Sequence, residues 1–183
     1  MIVRRVVTGR DSRGKSVIVH DGTPPWSKDF EHTPGFASSF VWATCSDVKA
    51  DATDPTEVAT SIVPGPGGSS FLIVTFPPDS VMTNPTFNPE AAGREHAEES
   101  PGLVDCFEPD APGMHTTPTV DYGIVLEGEL CLELDDGKTV HLKKHNVVVQ
   151  NGTRHAWRNS SSSPAKMAFV LIGQTHKAPS RVP

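Results

Sequence analysis

The residues of this 183-residue chain whose types and spacing could do chemistry lie in two short stretches. The first is Met114-His115-Thr116-Thr117-Pro118-Thr119-Val120-Asp121, and the second is Gln150-Asn151-Gly152-Thr153-Arg154-His155-Ala156-Trp157. Residues two apart in a strand share a face. His115, Thr117, Thr119 and Asp121 therefore project together if no bulge intervenes, and His155 and Trp157 do so likewise. Two imidazoles and a carboxylate converging in one interior could hold a divalent metal, zinc, manganese, nickel or iron, and leave positions open for substrate. The same pocket could work without a metal, with His115 and His155 as acid and base. It could also be an inert or ligand-sensing interior whose histidines are satisfied by hydrogen bonds. All three readings stay open at this point.

Around these residues, Gln150 is expected to line the pocket as an amide donor and acceptor, with catalytic duty beside His115, Asp121 and His155. Thr117 and Trp157 are expected substrate walls, Trp157 with core packing as the plainer role. Trp42 and Phe76 stand on earlier strands that could close the barrel; Trp42 is carried as a candidate wall, although core suits it better. Tyr122 has parity opposite to Asp121 and should face the other side of its strand. His20, His32, His96, His141 and His176 stand apart and read as surface, while His145 sits in a turn that could lie at either rim. Cys131 shares a face with two glutamates, so a nucleophilic role is not expected, and no GxSxG occurs.

The elements that must position these groups are strands. Seventeen prolines and 15 glycines are too many for a helical protein of this length, because both residues break helices and punctuate turns. Residues 4–19 read as a hairpin around the Gly9–Gly14 loop, and Ser38–Ala43 and Ser70–Phe76 as further strands. The polar stretch 83–112 should carry one short helix over Pro89–Glu99 and serve as a rim, a lid or an inert connection. Beyond Gly113, Leu130, Leu132 and Leu134 alternate with Glu129, Cys131 and Glu133. Asp135-Asp136-Gly137 suits a hairpin turn with positive φ. Val147–Val149 and Lys166–Ile172 complete an all-β pattern of short strands.

Composition narrows the partners. A formal net charge of −6 and a pI near 5.7 argue against a phosphate-binding footprint and so against nucleic acid. No apolar run approaches the roughly 18 residues of a membrane helix, and the first residues lack a signal-peptide core. Three cysteines, odd in number and without a CxxC, fit free thiols in a reducing compartment. The expectation is a cytoplasmic protein acting on a small molecule, with neither nucleic acid nor membrane as partner.

At the two chemical stretches the sequence resembles the cupin superfamily. Its first motif runs HxH, three or four residues, E, six residues, G, and here His115, Thr117, Asp121 and Gly128 take those four positions. Its second motif ends G, two residues, H, three residues, N, matched by Gly152, His155 and Asn159. Thr117 replaces the second histidine, Asp121 the glutamate and Gln150 a proline, and His145-Asn146 stands where a Gly-Asp turn is usual. The resemblance implies an all-β cupin barrel (a double-stranded β-helix or jelly roll). Residues 110–183 would form its core, and residues 1–109 would supply N-terminal strands and rim segments. It implies a metal on His115, Asp121 and His155, a metal-free site being the serious alternative. It further implies a small-molecule enzyme of the kind found with natural-product pathways, a lyase or isomerase acting by decarboxylation, dehydration or enolisation of a polyketide-like or aromatic-pathway oxygenated substrate. A non-haem iron dioxygenase and a non-catalytic metabolite-binding barrel are the rivals. Barrels of this kind commonly pair as dimers, so a homodimer is expected.

Overall fold

Alternation of apolar and polar residues dictates two facing sheets, and the computed structural model, which describes residues 3–47 and 53–175, has them. The strands are β1 (Arg5–Arg10), β2 (Ser16–Gly22), β3 (Trp26–Asp29), β4 (Ala37–Thr44), β5 (Ser69–Phe76), β6 (Thr119–Glu127), β7 (Glu129–Glu133), β8 (Thr139–Lys143), β9 (Val147–Asn151), β10 (Ala156–Arg158) and β11 (Ala165–Gly173); one α-helix, α1 (Pro89–Glu99), interrupts them. A six-stranded sheet runs β3-β4-β5-β11-β6-β9, a three-stranded one β10-β7-β8, and β1-β2 form a hairpin of their own. The result is a jelly-roll-like sandwich of two sheets rather than one closed ladder. No helix among the described residues is long and apolar enough to cross a membrane.

The core lies between the two larger sheets. Leu130, Leu132 and Leu142 of the smaller sheet pack against Phe40, Leu72, Val125, Met167, Phe169 and Leu171 of the larger. Period-two alternation places them there: on β6, Thr119, Asp121, Gly123 and Val125 are buried while Tyr122 and Ile124 are exposed. Tyr122 thus faces away from Asp121, as parity requires. Its cross-strand partner is Val149, and that of Ile124 is Val147, so the outer face at this edge is apolar.

Turn chemistry follows the sequence closely. Asp136 and Gly137 both have positive φ, the conformation a tight hairpin turn demands. His145 has φ 72°, so it occupies the left-handed position for which glycine is the ordinary choice. It is exposed, in the turn between β8 and β9. The helix over Pro89–Glu99 forms with Asn88 as its cap, whose side chain accepts from the Ala91 amide, the usual way to satisfy an orphan N–H. It does not float as a lid. Buried Glu95 accepts hydrogen bonds from the amides of Glu31 and His32, 2.7 Å each, and His96 packs against Phe30 and Phe36. His96 is therefore not a surface residue, and burial lowers its pKa. His20 is half-buried; His32 and His141 are exposed, and His176 lies outside the described residues.

Asn159, at the last position of the second motif, is a structural hub. It is buried, its amide donates to the Phe76 and Ser163 carbonyls at 3.1 and 2.9 Å, and its oxygen accepts from the Ser161 amide and hydroxyl. Alanine would remove all four of these bonds at a buried position. We expect Asn159→Ala to cost about 3 kcal/mol, read as a lower urea midpoint at unchanged slope; a loss under about 1 kcal/mol would show that water replaces the side chain.

Candidate functional site

Backbone pairing brings the two histidines together. His115 and His155 exchange both amide-to-carbonyl bonds at 2.9 Å, an isolated antiparallel bridge. Their rings lie 4.2 Å apart between centroids. Each Nδ1 faces a backbone carbonyl: Gly113 at 3.1 Å for His115, Thr153 at 2.9 Å for His155. A carbonyl oxygen can only accept, so Nδ1 carries the hydrogen and Nε2 the lone pair. Burial lowers the pKa of His115. Burial and then the neighbouring His115 drive that of His155 down to about 4. Both rings are neutral at pH 7.

Asp121 sits further along β6, opposite Gln150. It is 7% exposed. Burial raises its pKa to about 6 against hydrogen bonds from Thr119 and Thr117, and its Oδ1 is buried without a partner. The hydroxyls of Thr119 and Thr117 lie 2.7 Å apart and bond to each other. Gln150 is buried, and its amide nitrogen is held on Thr153, at 3.1 Å to the carbonyl and 2.7 Å to the hydroxyl. Thr153 O thus serves both Gln150 and His155. His115, Thr117, Thr119, Asp121, Gln150 and His155 are all buried, a polar wall that an ordinary core would avoid.

The expected three-ligand set is not what this wall forms. Among the described residues no three His, Cys, Asp or Glu side chains are grouped to hold a metal ion. The reason is depth along the strand: His115 pairs opposite His155, whereas Asp121 pairs opposite Gln150 and is occupied by threonine hydroxyls. Two imidazole Nε2 atoms would suit zinc or iron, but two protein donors are fewer than such sites use.

Trp157 meets expectation as a wall, edge-on to His155 at 5.6 Å and packed on Phe169 at 5.4 Å. Trp42 does not. The register of β4 on β5 shifts between Phe40 and Trp42. Trp42 therefore pairs with Phe71, which alternates with core Leu72, and lies on the outer face beneath the Arg5 guanidinium, 5.7 Å away. A bulge defeats period-two parity.

No spacing or motif pointed to Phe107. Its ring stacks on His115 at 4.5 Å and 26°, while remaining 39% exposed. The next residue, Glu108, binds Arg154 through two bonds of 2.7 Å, and Arg154 also reaches Asp135 at 3.0 Å. An outer cleft runs past Met114, Arg154 and Arg158, and another past His32 and Phe87; neither is lined by His115, Asp121 or His155.

Residues 104–172 match the model described as "Cupin domain". Phomopsin biosynthesis cluster protein C' of Diaporthe leptostromiformis is 48% identical over 60 residues, 32% of each chain. Oryzines biosynthesis cluster protein J of Aspergillus oryzae is 38% identical over 94 residues, 51% of this chain and 49% of that one. Cupin-domain-containing oxidoreductase fogC of Aspergillus ruber is 24% identical over 176 residues, 93% of this chain and 72% of that one. The chain thus spans about a third to a half of the length of the first two relatives. With the strand order, the paired histidines and this match together, residues 104–172 are a cupin domain.

Proposed function

We propose that the chain is a small-molecule enzyme whose buried polar wall moves a proton on an oxygenated substrate, an isomerase or a dehydratase-type lyase. One observation carries the reading: a carboxyl on the inner wall, Asp121, has a pKa raised to about 6 by burial and an oxygen without a partner. A group that titrates near neutrality is suited to both taking and returning a proton. His115 and His155, neutral and with Nε2 as acceptor, bind substrate hydroxyls and hold them toward the carboxyl. Asp121 removes a proton next to a carbonyl, and returns it to the neighbouring carbon or to a departing hydroxyl. The names of relatives in two biosynthesis clusters support a setting in secondary metabolism. Decarboxylation is the least suited of the expected reactions, because no cationic side chain belongs to the wall.

The test is deuterium uptake from solvent into a panel of small hydroxy-ketones, followed by NMR. Wild type should exchange, and Asp121→Asn should lose about 100-fold or more of the rate while remaining folded. Equal rates would remove Asp121 from the chemistry. A second reading, an oxidation, is favoured by the name of the Aspergillus ruber relative; oxygen uptake or a change in substrate oxidation state without exchange would select it.

A further inference from the structure

We infer that the polar wall selects its ligand by the ligand's own hydrogen-bond donors, and that it takes a neutral hydroxylated aromatic in preference to a carboxylic acid. This deepens the proton-transfer reading and rests on it for the location of the site. The hydrogens of the wall are already committed. The Nδ1 hydrogens of His115 and His155 go to the Gly113 and Thr153 carbonyls. The Gln150 amide hydrogens go to the carbonyl and hydroxyl of Thr153. The hydroxyl hydrogens of Thr117 and Thr119 stay within the Thr119–Thr117–Asp121 group. What the wall offers inward is therefore acceptors: Nε2 of each imidazole and Oδ1 of Asp121, the last buried and unpartnered.

The neighbouring cations do not change this balance. Neither belongs to the wall: Arg154 is paired with Glu108 and Asp135, and Arg158 with Glu133 and the Pro112 carbonyl. A carboxylate would meet the lone pairs of the two imidazoles and of Asp121, which is how a site rejects a ligand. A phenolic hydroxyl supplies the hydrogen that Asp121 and the imidazoles lack. Shape points the same way. Phe107 lies nearly parallel on His115 and Trp157 stands edge-on to His155, so flat rings are what these imidazoles already meet.

Three small probes test this: benzene-1,3-diol, 1,3-difluorobenzene and benzoate, titrated into the full chain at pH 7.5. Calorimetry would give the affinities and 15N shifts would follow the two imidazoles. We expect the diol to bind at least about tenfold more tightly than either rival and to move an Nε2 resonance. Asp121→Asn, which puts an N–H where the unpartnered oxygen stands, should weaken the diol and narrow its lead over benzoate. Asp121→Glu, which keeps the acceptor, should retain the preference. Benzoate binding as tightly as the diol would overturn the inference, as would a diol that leaves both Nε2 signals unmoved or does not bind at millimolar concentration. The probes undergo no exchange at carbon on this time scale, so loss of the proton-transfer reading would show in the deuterium test and not here.

Discussion

Asp121→Asn will make stability climb more steeply with pH between pH 4 and pH 6.5. Asp121 titrates at about 6 in the folded chain against an ordinary 3.8. Between those values the folded state keeps a proton that the unfolded chain has released, so stability falls as pH rises through that window. His155 titrates at about 4 against an ordinary 6.5. There the unfolded chain holds the extra proton, so stability rises with pH across nearly the same window. Each effect amounts to about 3 kcal/mol, and they oppose one another. The lowered pKa of His115 adds to the rise with pH. Removing the carboxyl leaves the histidines unopposed, and the variant should gain roughly 3 kcal/mol more than wild type between pH 4 and pH 6.5. His155→Gln should show the reverse slope. Asp54 and Glu95, both held below the usual carboxylate range, and half-buried His96 titrate equally in all three proteins, so the differences isolate the wall. Denaturant midpoints at four pH values suffice, and an Asp121→Asn profile parallel to wild type would mean that the carboxyl titrates normally.

Gly173→Ala is the substitution expected to harm the fold most. A methyl at this position would lie 2.0 Å from the Gly65 carbonyl oxygen and 2.7 Å from its carbon. Those atoms are backbone and cannot swing away. The loop is also tied there: Gly67 donates to the Gly173 carbonyl and Gly173 donates to Gly68, both at 2.9 Å. Either the loop lifts off the end of β11 and both bonds go, or the strand end distorts. We expect a loss of about 4 kcal/mol and a melting temperature lower by roughly 10 °C. Gly93→Ala, in α1 with nothing near the new methyl, is the matched control and should be neutral or stabilising by about 0.5–1 kcal/mol. If Gly173→Ala melted with the control, the 63–68 loop would not be packed on β11.

Much of this was legible because it is local. The alternation of Leu130 and Leu132, the Asp136-Gly137 turn, the left-handed His145 and the helix from Pro89 each follow from residues near in sequence. Spacing also brought His115 to His155, since both stretches carry a motif whose partners are known. What escaped depends on pairing between distant segments. Phe107 lies in a polar connection with no periodicity, and its place on His115 follows from a bridge that no pattern announces. Trp42 left the interior through a single-residue shift of register. Parity put Asp121 on the same wall as the histidines but could not say how far along it, which is why two imidazoles and a carboxylate did not become one ligand set.

Arg5 gives the N-terminal hairpin a character of its own. The β1-β2 ladder joins no other strand among the described residues, and its side chains Val17, Ile18 and Val19 are exposed. Arg5, by contrast, is 5% exposed and donates to the Val41 carbonyl at 3.1 Å while ion-pairing with Asp54. A two-stranded ribbon is marginal by itself, and the buried Arg5 guanidinium ties it to the sandwich. The ribbon therefore has the makings of an independent opening unit: its amides can trade with solvent together, at a free energy below that of global unfolding, while the sandwich behind it stays shut.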